Sequence, residues 1–367
     1  MRKIQNLVAF PTDAESSPFF GALATVFLPA LGYGEGTPYF CSPKGAVCVR
    51  CGGCGEKTTL QKHHLQLYHD FITRTGVALG WSEPEGLGVS HAGLDDGFMG
   101  HVMDIAGLSW KKLSPADGRE TVLRTLAEAI DAGFPALLKL GDGRDWHVAA
   151  GYDEAGRLYG LDSHAHHDET VHPTVRADAY AEDGWFTLSE WFAHFRGGVA
   201  ITGRGPSRVT LSESLSRMIR ALEDVGTDAL EREVMEKIDD AAPENAFETA
   251  VWLNHVAGFP IEARWHVASC TDSTLQRLTE NRAAHDKLFA VTRQYVFDSE
   301  LAATHGTCWK IWGLLGVGPT TGYAVTSEGA AGIASPDVKA ELKRLFGIVF
   351  ENDRIVLGLL RDALSAQ

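Results

Sequence analysis

The spacing of apolar residues changes once along the chain, and that change restricts the fold more than any other feature. Residues 134–140, 145–152, 157–162 and 197–203 are short apolar runs bounded by turn residues, the pattern of strands. From Leu211 onward apolar residues recur at three- and four-residue spacing over 211–222, 229–238, 246–256, 273–289 and 336–363, which predicts helices. Gly203-Arg204-Gly205-Pro206-Ser207 lies between the two regimes and has linker chemistry. The expected organisation is an α+β domain over residues 1–205, with helices packed on an antiparallel sheet, and an all-α domain over 206–367. The 367 residues suffice for two domains of about 100–200 residues each.

The α+β part should also carry helices. Ser16-Ser17-Pro18 has the caps and first-turn proline of a helix start, and the almost wholly apolar 19–28 then predicts a buried helix. Gly32, Gly34 and Gly36 end it, and a Gly- and Cys-rich loop runs over 33–55. Leu60, His64, Leu67 and Phe71 share one face of a second helix over 56–75, which Gly76 would close. A third is expected over 119–131, before Gly133.

Charge and hydropathy exclude several function classes. The chain has 33 basic and 48 acidic residues, a formal net charge of −15 divided evenly between the two halves. Such a surface repels phosphate backbones and anionic membranes, so neither nucleic acid nor a membrane is an expected partner. No stretch approaches the roughly 20 apolar residues of a membrane helix, and Asp13 and Glu15 interrupt any signal-like segment after Met1-Arg2-Lys3. A cytoplasmic location is expected, and self-association is left open.

Four of the six cysteines, Cys41, Cys48, Cys51 and Cys54, are clustered, whereas Cys270 and Cys308 stand alone and read as small buried apolar residues. Clustered thiols without a secretion signal suggest reactive groups or metal ligands before disulfides. Cys54 directly precedes the helix expected from Glu56, and a helix N-terminus stabilises a thiolate. The same four sulfurs, with His63 and His64 nearby, could instead close around Zn²⁺ or an iron–sulfur cluster. The irregular gap between Cys41 and Cys48 weighs against a metal knuckle, so no metal or other cofactor is expected. His164, His166, His167, Asp168 and His172 read as a solvated polar loop. Trp81, His91, His101 and Trp110 fall in a Gly-rich linker and could wall a pocket. His255, His266 and His285 read as packing or surface residues. The Gly-rich 313–329 lacks the Lys-Ser/Thr ending of a phosphate loop.

The segment Trp146-His147-Val148-Ala149-Ala150-Gly151-Tyr152-Asp153, followed by Arg157-Leu158-Tyr159-Gly160-Leu161-Asp162-Ser163, resembles the His-strand, hairpin and Asp-strand of papain-like cysteine peptidases of the bacteriocin-processing type. It also resembles the N-terminal domain of the butirosin-biosynthesis acyltransferase family. The resemblance extends more weakly over residues 8–205. It implies a papain-like fold, with His147 as general base and Asp162 as its orienting partner, and a trailing helical region. Where that family starts its first helix with the nucleophilic cysteine, this chain has Ser16-Ser17-Pro18. A hairpin also suits the pair without the resemblance, because it can set a histidine and a carboxylate side by side. The favoured class is an enzyme, a cysteine-dependent hydrolase or acyltransferase using Cys54 (Cys51 second), His147 and Asp162 on a small-molecule or peptide acyl substrate. The alternatives are a non-catalytic binding or structural protein on the same scaffold, and a Cys-cluster metalloprotein.

Overall fold

A computed structural model describes residues 1–5, 7–8, 17–31, 59–81, 96–141, 146–162, 179–180, 185–297, 303–318, 321 and 324–367. Contacts gather the chain into two units, one of residues 1–71 and 84–209, the other of 72–83 and 210–367. The first is mixed helix and antiparallel sheet and the second is helical. Among the described residues no helix is long and apolar enough to cross a membrane.

The sheet of the first unit contains β1 (Arg2–Lys3), β2 (Leu108–Leu113), β3 (Ala136–Leu140), β4 (His147–Tyr152), β5 (Leu158–Asp162), β6 (Ala179–Tyr180), β7 (Trp185–Leu188) and β8 (Phe195–Arg204). Its order is β2-β8-β3-β4-β5-β7-β6, with β1 also paired to β4, and every pairing is antiparallel. All five residues of β3 are buried, as befits a strand covered on both faces. The longer helices among its described residues are α1 (Pro18–Val26), α2 (Thr59–Arg74, whose last turn belongs to the other unit), α3 (Asp96–Ala106) and α4 (Arg119–Asp131). Helix α4 packs Val122, Leu126 and Ala129 on the face bearing Ala136, Leu138, Ala149, Leu158 and Phe186. Helix α1 lies against β3 and β4, with the Phe19 ring 5.0 Å from that of Trp146. Strand alternation puts Trp146 and Ala149 on opposite faces, so α1 and α4 sandwich the sheet.

The β4–β5 hairpin is held at its turn. The Asp153 carboxylate accepts from the backbone N–H of Ala155 and Arg157, from Arg157 Nε at 2.7 Å and from Tyr159 Oη. Gly156 has φ of 73°, and a Cβ there would meet Arg119 Nη2 at 2.9 Å. Its carbonyl accepts from Arg119 and from the Trp191 indole, which ties the turn to α4 and to the short helical turn Trp191–His194.

In the second unit, α5 (Leu211–Asp224), α6 (Thr227–Asp239), α7 (Ala246–Ser273), α8 (Arg282–Thr292), α9 (Thr304–Leu314) and α10 (Ser327–Ala331) accompany the 30-residue α11 (Pro336–Ser365). Thr210 and Glu213 form a capping box at the start of α5. Two expectations are corrected. Helix α7 does not stop near 256 but continues through Pro260 to Ser273, and the single helix expected over 273–289 is divided by a 3₁₀ turn, Leu275–Leu278. Asn281 then caps α8 by accepting from the Ala283 and Ala284 N–H groups. The Gly-rich stretch has a packing role, since a Cβ on Gly316 would meet Gly329 Cα at 2.5 Å.

The centre of this unit is a buried ion pair. Arg264 of α7 donates Nη2 to Asp353 Oδ2 at 2.6 Å and Nε to Oδ1 at 3.1 Å, and both side chains are essentially inaccessible. The Trp81 indole and Tyr295 hydroxyl also donate to the carboxylate, while Arg264 Nη1 reaches the carbonyls of Ala78 and Gly80. Trp81 stacks on Phe350 at 4.4 Å. Residues 72–83 thus belong with the helical unit because its core needs their carbonyls and indole. Removing one member of such a pair leaves an unmatched charge in the interior, which costs about 3–5 kcal/mol. Asp353→Ala should therefore lower unfolding stability by about that amount, read from the denaturant midpoint at constant m-value, whereas Asp362→Ala, at an exposed ion pair, should change it by less than about 1 kcal/mol.

Candidate functional site

His147 opens β4 and stands directly opposite Asp162, the last residue of β5, in the antiparallel register. His147 is 2% exposed, and its ring meets Phe186 edge-on at 5.8 Å. Phe186 belongs to the apolar cluster beneath α4, so the imidazole lies on the α4 face of the sheet. Leu138 is its neighbour across β3.

The other candidates separate into three groups. Cys41, Cys48, Cys51 and Cys54 lie outside the described residues, as do His91, His164, His166, His167, Asp168 and His172. Among the described residues no group of three His, Cys, Asp or Glu side chains gathers to hold a metal ion. Cys270 and Cys308 are buried, and burial pushes the Cys308 thiol up to about 12, which leaves it unreactive near neutrality. His266 is buried, while His255 and His285 are exposed.

Ser17 precedes α1 in an extended conformation and is fully buried. Its N–H donates to Tyr68 Oη at 2.9 Å, but its Oγ meets no hydrogen-bond partner among the described residues. It stands at the start of the helix that contacts Trp146, on the face away from His147. His64 of α2 is engaged structurally, since its Nε2 lies 3.0 Å from Thr25 Oγ1. Thr25 is itself a hydroxyl donor to the Gly21 carbonyl.

Sequence reasoning placed Trp110 in a linker, and this is corrected: it lies in β2, with α3 preceding that strand. The signal was weak because β2 reads Leu-Ser-Trp-Lys-Lys-Leu, buried only at its ends. Trp110 and Trp146 line a cleft of about 320 Å³ with Met99, Lys112, Arg196 and Val199. Lys112 and Arg196 carried no motif and could not be selected from spacing.

Burial holds His64 neutral by lowering its pKa from 6.5 to about 3. Between those values the unfolded chain binds the proton that the folded chain refuses, so stability rises with pH there and falls on acidification. This site should cost about 2 kcal/mol between pH 7 and pH 5. His64→Gln should flatten the pH dependence of the urea-unfolding free energy over that interval, and an unchanged slope would remove His64 from the acid response.

Comparison of the chain with protein-family models, with curated proteins and with solved structures returned no match.

Proposed function

We propose that the first unit is a papain-like cysteine hydrolase or acyltransferase acting on an amide or thioester. The observation that carries this reading is the placement of His147 directly across the β4–β5 ladder from Asp162, on a strand buried along nearly its whole length. In this reading Asp162 fixes the imidazole tautomer and supports its cation. His147 takes the Cys54 thiol proton, and the thiolate attacks the acyl carbon to form a tetrahedral oxyanion. Collapse breaks the C–N or C–S bond, and His147 returns the proton to the leaving amine or thiol. Water or an acceptor nucleophile then releases the acyl group from sulfur by the same steps in reverse. The −15 net charge disfavours polyanionic substrates and is compatible with a small-molecule or peptide acyl donor.

A second reading has its own observation. The helix packed beside Trp146 starts with Ser17, whose hydroxyl is fully buried, where the resembling families carry the thiol. That arrangement favours a binding or structural protein on an inherited scaffold, in which no thiol is activated.

Alkylation of the native protein at about pH 6, followed by peptide mapping, separates the two. The enzyme reading expects Cys54 to be labelled at least about tenfold faster than Cys41, Cys48 and Cys51, and expects His147→Ala to remove that advantage. Cys270 and Cys308, being buried, serve as internal controls that react only after unfolding. Uniform slow labelling of the four clustered cysteines would sink the catalytic assignment in favour of the scaffold.

A further inference from the structure

Strand β2 is an end strand of the sheet, with β8 as its one partner among the described residues. In an antiparallel pair alternate residues turn their N–H and C=O away from the neighbour. An end strand therefore presents a row of backbone groups that can pair with a further strand. In β2 that row is closed at both ends. Arg208 Nη2 donates to the Leu108 carbonyl at 2.9 Å, and the Ser114 N–H donates to Asp117 Oδ2 as the chain turns at Pro115. Between these points, over residues 109–113, no other described element bonds the backbone on the side away from β8.

The two faces of the strand differ. Lys111 is on the α4 side, where its Nζ meets the Thr125 hydroxyl at 3.5 Å and, among the described residues, no carboxylate at ion-pair distance. Trp110 and Lys112 are on the other side and line the cleft of about 320 Å³ with Met99, Trp146 and Val199. The cations there are engaged: Lys112 meets Asp96 at 2.7 Å, and Arg196 donates to the Ala193 carbonyl. The cleft is thus characterised by its indoles, Met99 and Val199. Bulges in β8 shape this region. Ser109 pairs with Gly203 but Trp110 with Ile201, and Lys139 pairs with Gly197 but Leu140 with Phe195, which makes Thr202 and Arg196 extra residues. Bulges bend a strand and re-aim neighbouring side chains, and they concentrate at sheet edges and beside functional sites.

We propose that the outer edge of β2 and the adjoining cleft dock an extended peptide segment of another protein. The segment adds to β2 as a further strand, seats an apolar side chain in the cleft and turns an acidic side chain toward Lys111. In strand addition the main-chain hydrogen bonds give affinity, and pockets for alternate side chains give specificity. Cross-strand neighbours share a face, so the residue beside Lys111 and the residue in the cleft come from opposite faces of the added strand. A second copy of this chain is a poor occupant, because pairing β2 with β2 sets lysines of like charge against one another. The net charge of −15 does not decide the matter, since charges beyond about 8 Å are largely screened at physiological ionic strength, whereas Lys111 adjoins the added strand. Trp146 and His147 face opposite sides of the sheet, so the proposal does not depend on the catalytic reading of His147.

The test titrates the full chain, at about 0.15 M salt, into the fluorescein-labelled peptide Thr-Val-Thr-Phe-Glu-Val-Thr-amide and reads anisotropy. Alternation puts its Phe on one face and its Glu on the other. Binding should saturate and should slow amide hydrogen exchange over residues 109–113. N-methylating one alternate set of peptide residues should abolish binding, while methylating the other set is tolerated. Replacing the peptide Phe by Ala should weaken binding about tenfold, and Lys111→Glu should do the same while preferring a peptide with Lys in place of Glu. The peptide changes leave the protein untouched, so they decide the matter even where Lys111→Glu fails to fold. Absence of saturable binding, a response that does not distinguish the two methylated sets, or indifference to the Phe or to the charge exchange would overturn the proposal.

Discussion

The register of the β4–β5 hairpin is the constraint on which the functional reading of the first unit depends. In a strand a one-residue slip sends every side chain to the opposite face. Such a slip would turn His147 from the α4 side to the α1 side and would take Trp146 out of the cleft. The turn resists it through two small devices. Asp153 gathers four donors on one carboxylate, and these hydrogen bonds, with the Arg157 charge, outweigh its desolvation and lower its pKa to about 2. The Gly156 carbonyl is held by Arg119 from α4 and by Trp191. The hairpin is thereby locked to the helix that covers the His147 face.

The helical unit solves a different problem, that of a charge pair placed in an apolar core. Taking ions out of water is costly, and mutual attraction offsets that cost only when the remaining donors and acceptors are matched. Asp353 receives two donors on each carboxylate oxygen: Arg264 Nε and Tyr295 on Oδ1, Arg264 Nη2 and Trp81 on Oδ2. That fills the acceptor capacity of a carboxylate. Burial opposes the Arg264 charge, yet Asp353 and the surrounding groups raise its pKa above the ordinary value. Burial, reinforced by Asp353, drives the Tyr295 hydroxyl well above its ordinary range, so it remains a donor. The segment that supplies Trp81 and two carbonyls is what lets the guanidinium remain satisfied, which explains why the unit recruits residues far from it in sequence.

What the sequence disclosed and what it withheld follow the range of the interactions. Pro18 at a helix start, the 119–131 helix, the hairpin and the change of period near residue 210 are local signals, and each corresponds to an observed element. That His147 and Asp162 lie near one another was legible for the same reason, but their direct opposition depends on a register shift between Ala149 and Gly151 that no spacing rule announces. Strand β2 carries no alternation because two consecutive lysines and a serine leave its middle exposed on both faces. Strands β6 and β7 have only two and four residues, too few for a period to emerge. Pro260 suggests a break that α7 does not make. The Arg264–Asp353 pair is separated by 89 positions and Trp81–Asp353 by 272, and no spacing rule reaches that far. Cys54, the remaining member of the expected site, lies outside the described residues, so its part was legible only as a thiol before a helix start.

Strand geometry finally separates two chemistries that adjoin in sequence. Trp146 and His147 are consecutive, yet one looks toward α1 and the other toward α4. On the Trp146 side the bulges, the indoles and the cations create a concavity open to solvent. On the His147 side the ring is buried and meets Phe186 edge-on, and Phe186 belongs to the apolar cluster under α4. An imidazole in that setting is held rigidly, which suits the orientation of a base, at the end of the sheet where β4 begins and β5 ends. That end is also where Trp146 leaves β4 for the cleft. The same few residues at the edge of the hairpin therefore hold both His147 and a wall of the cleft, while alternation keeps the two surfaces chemically distinct.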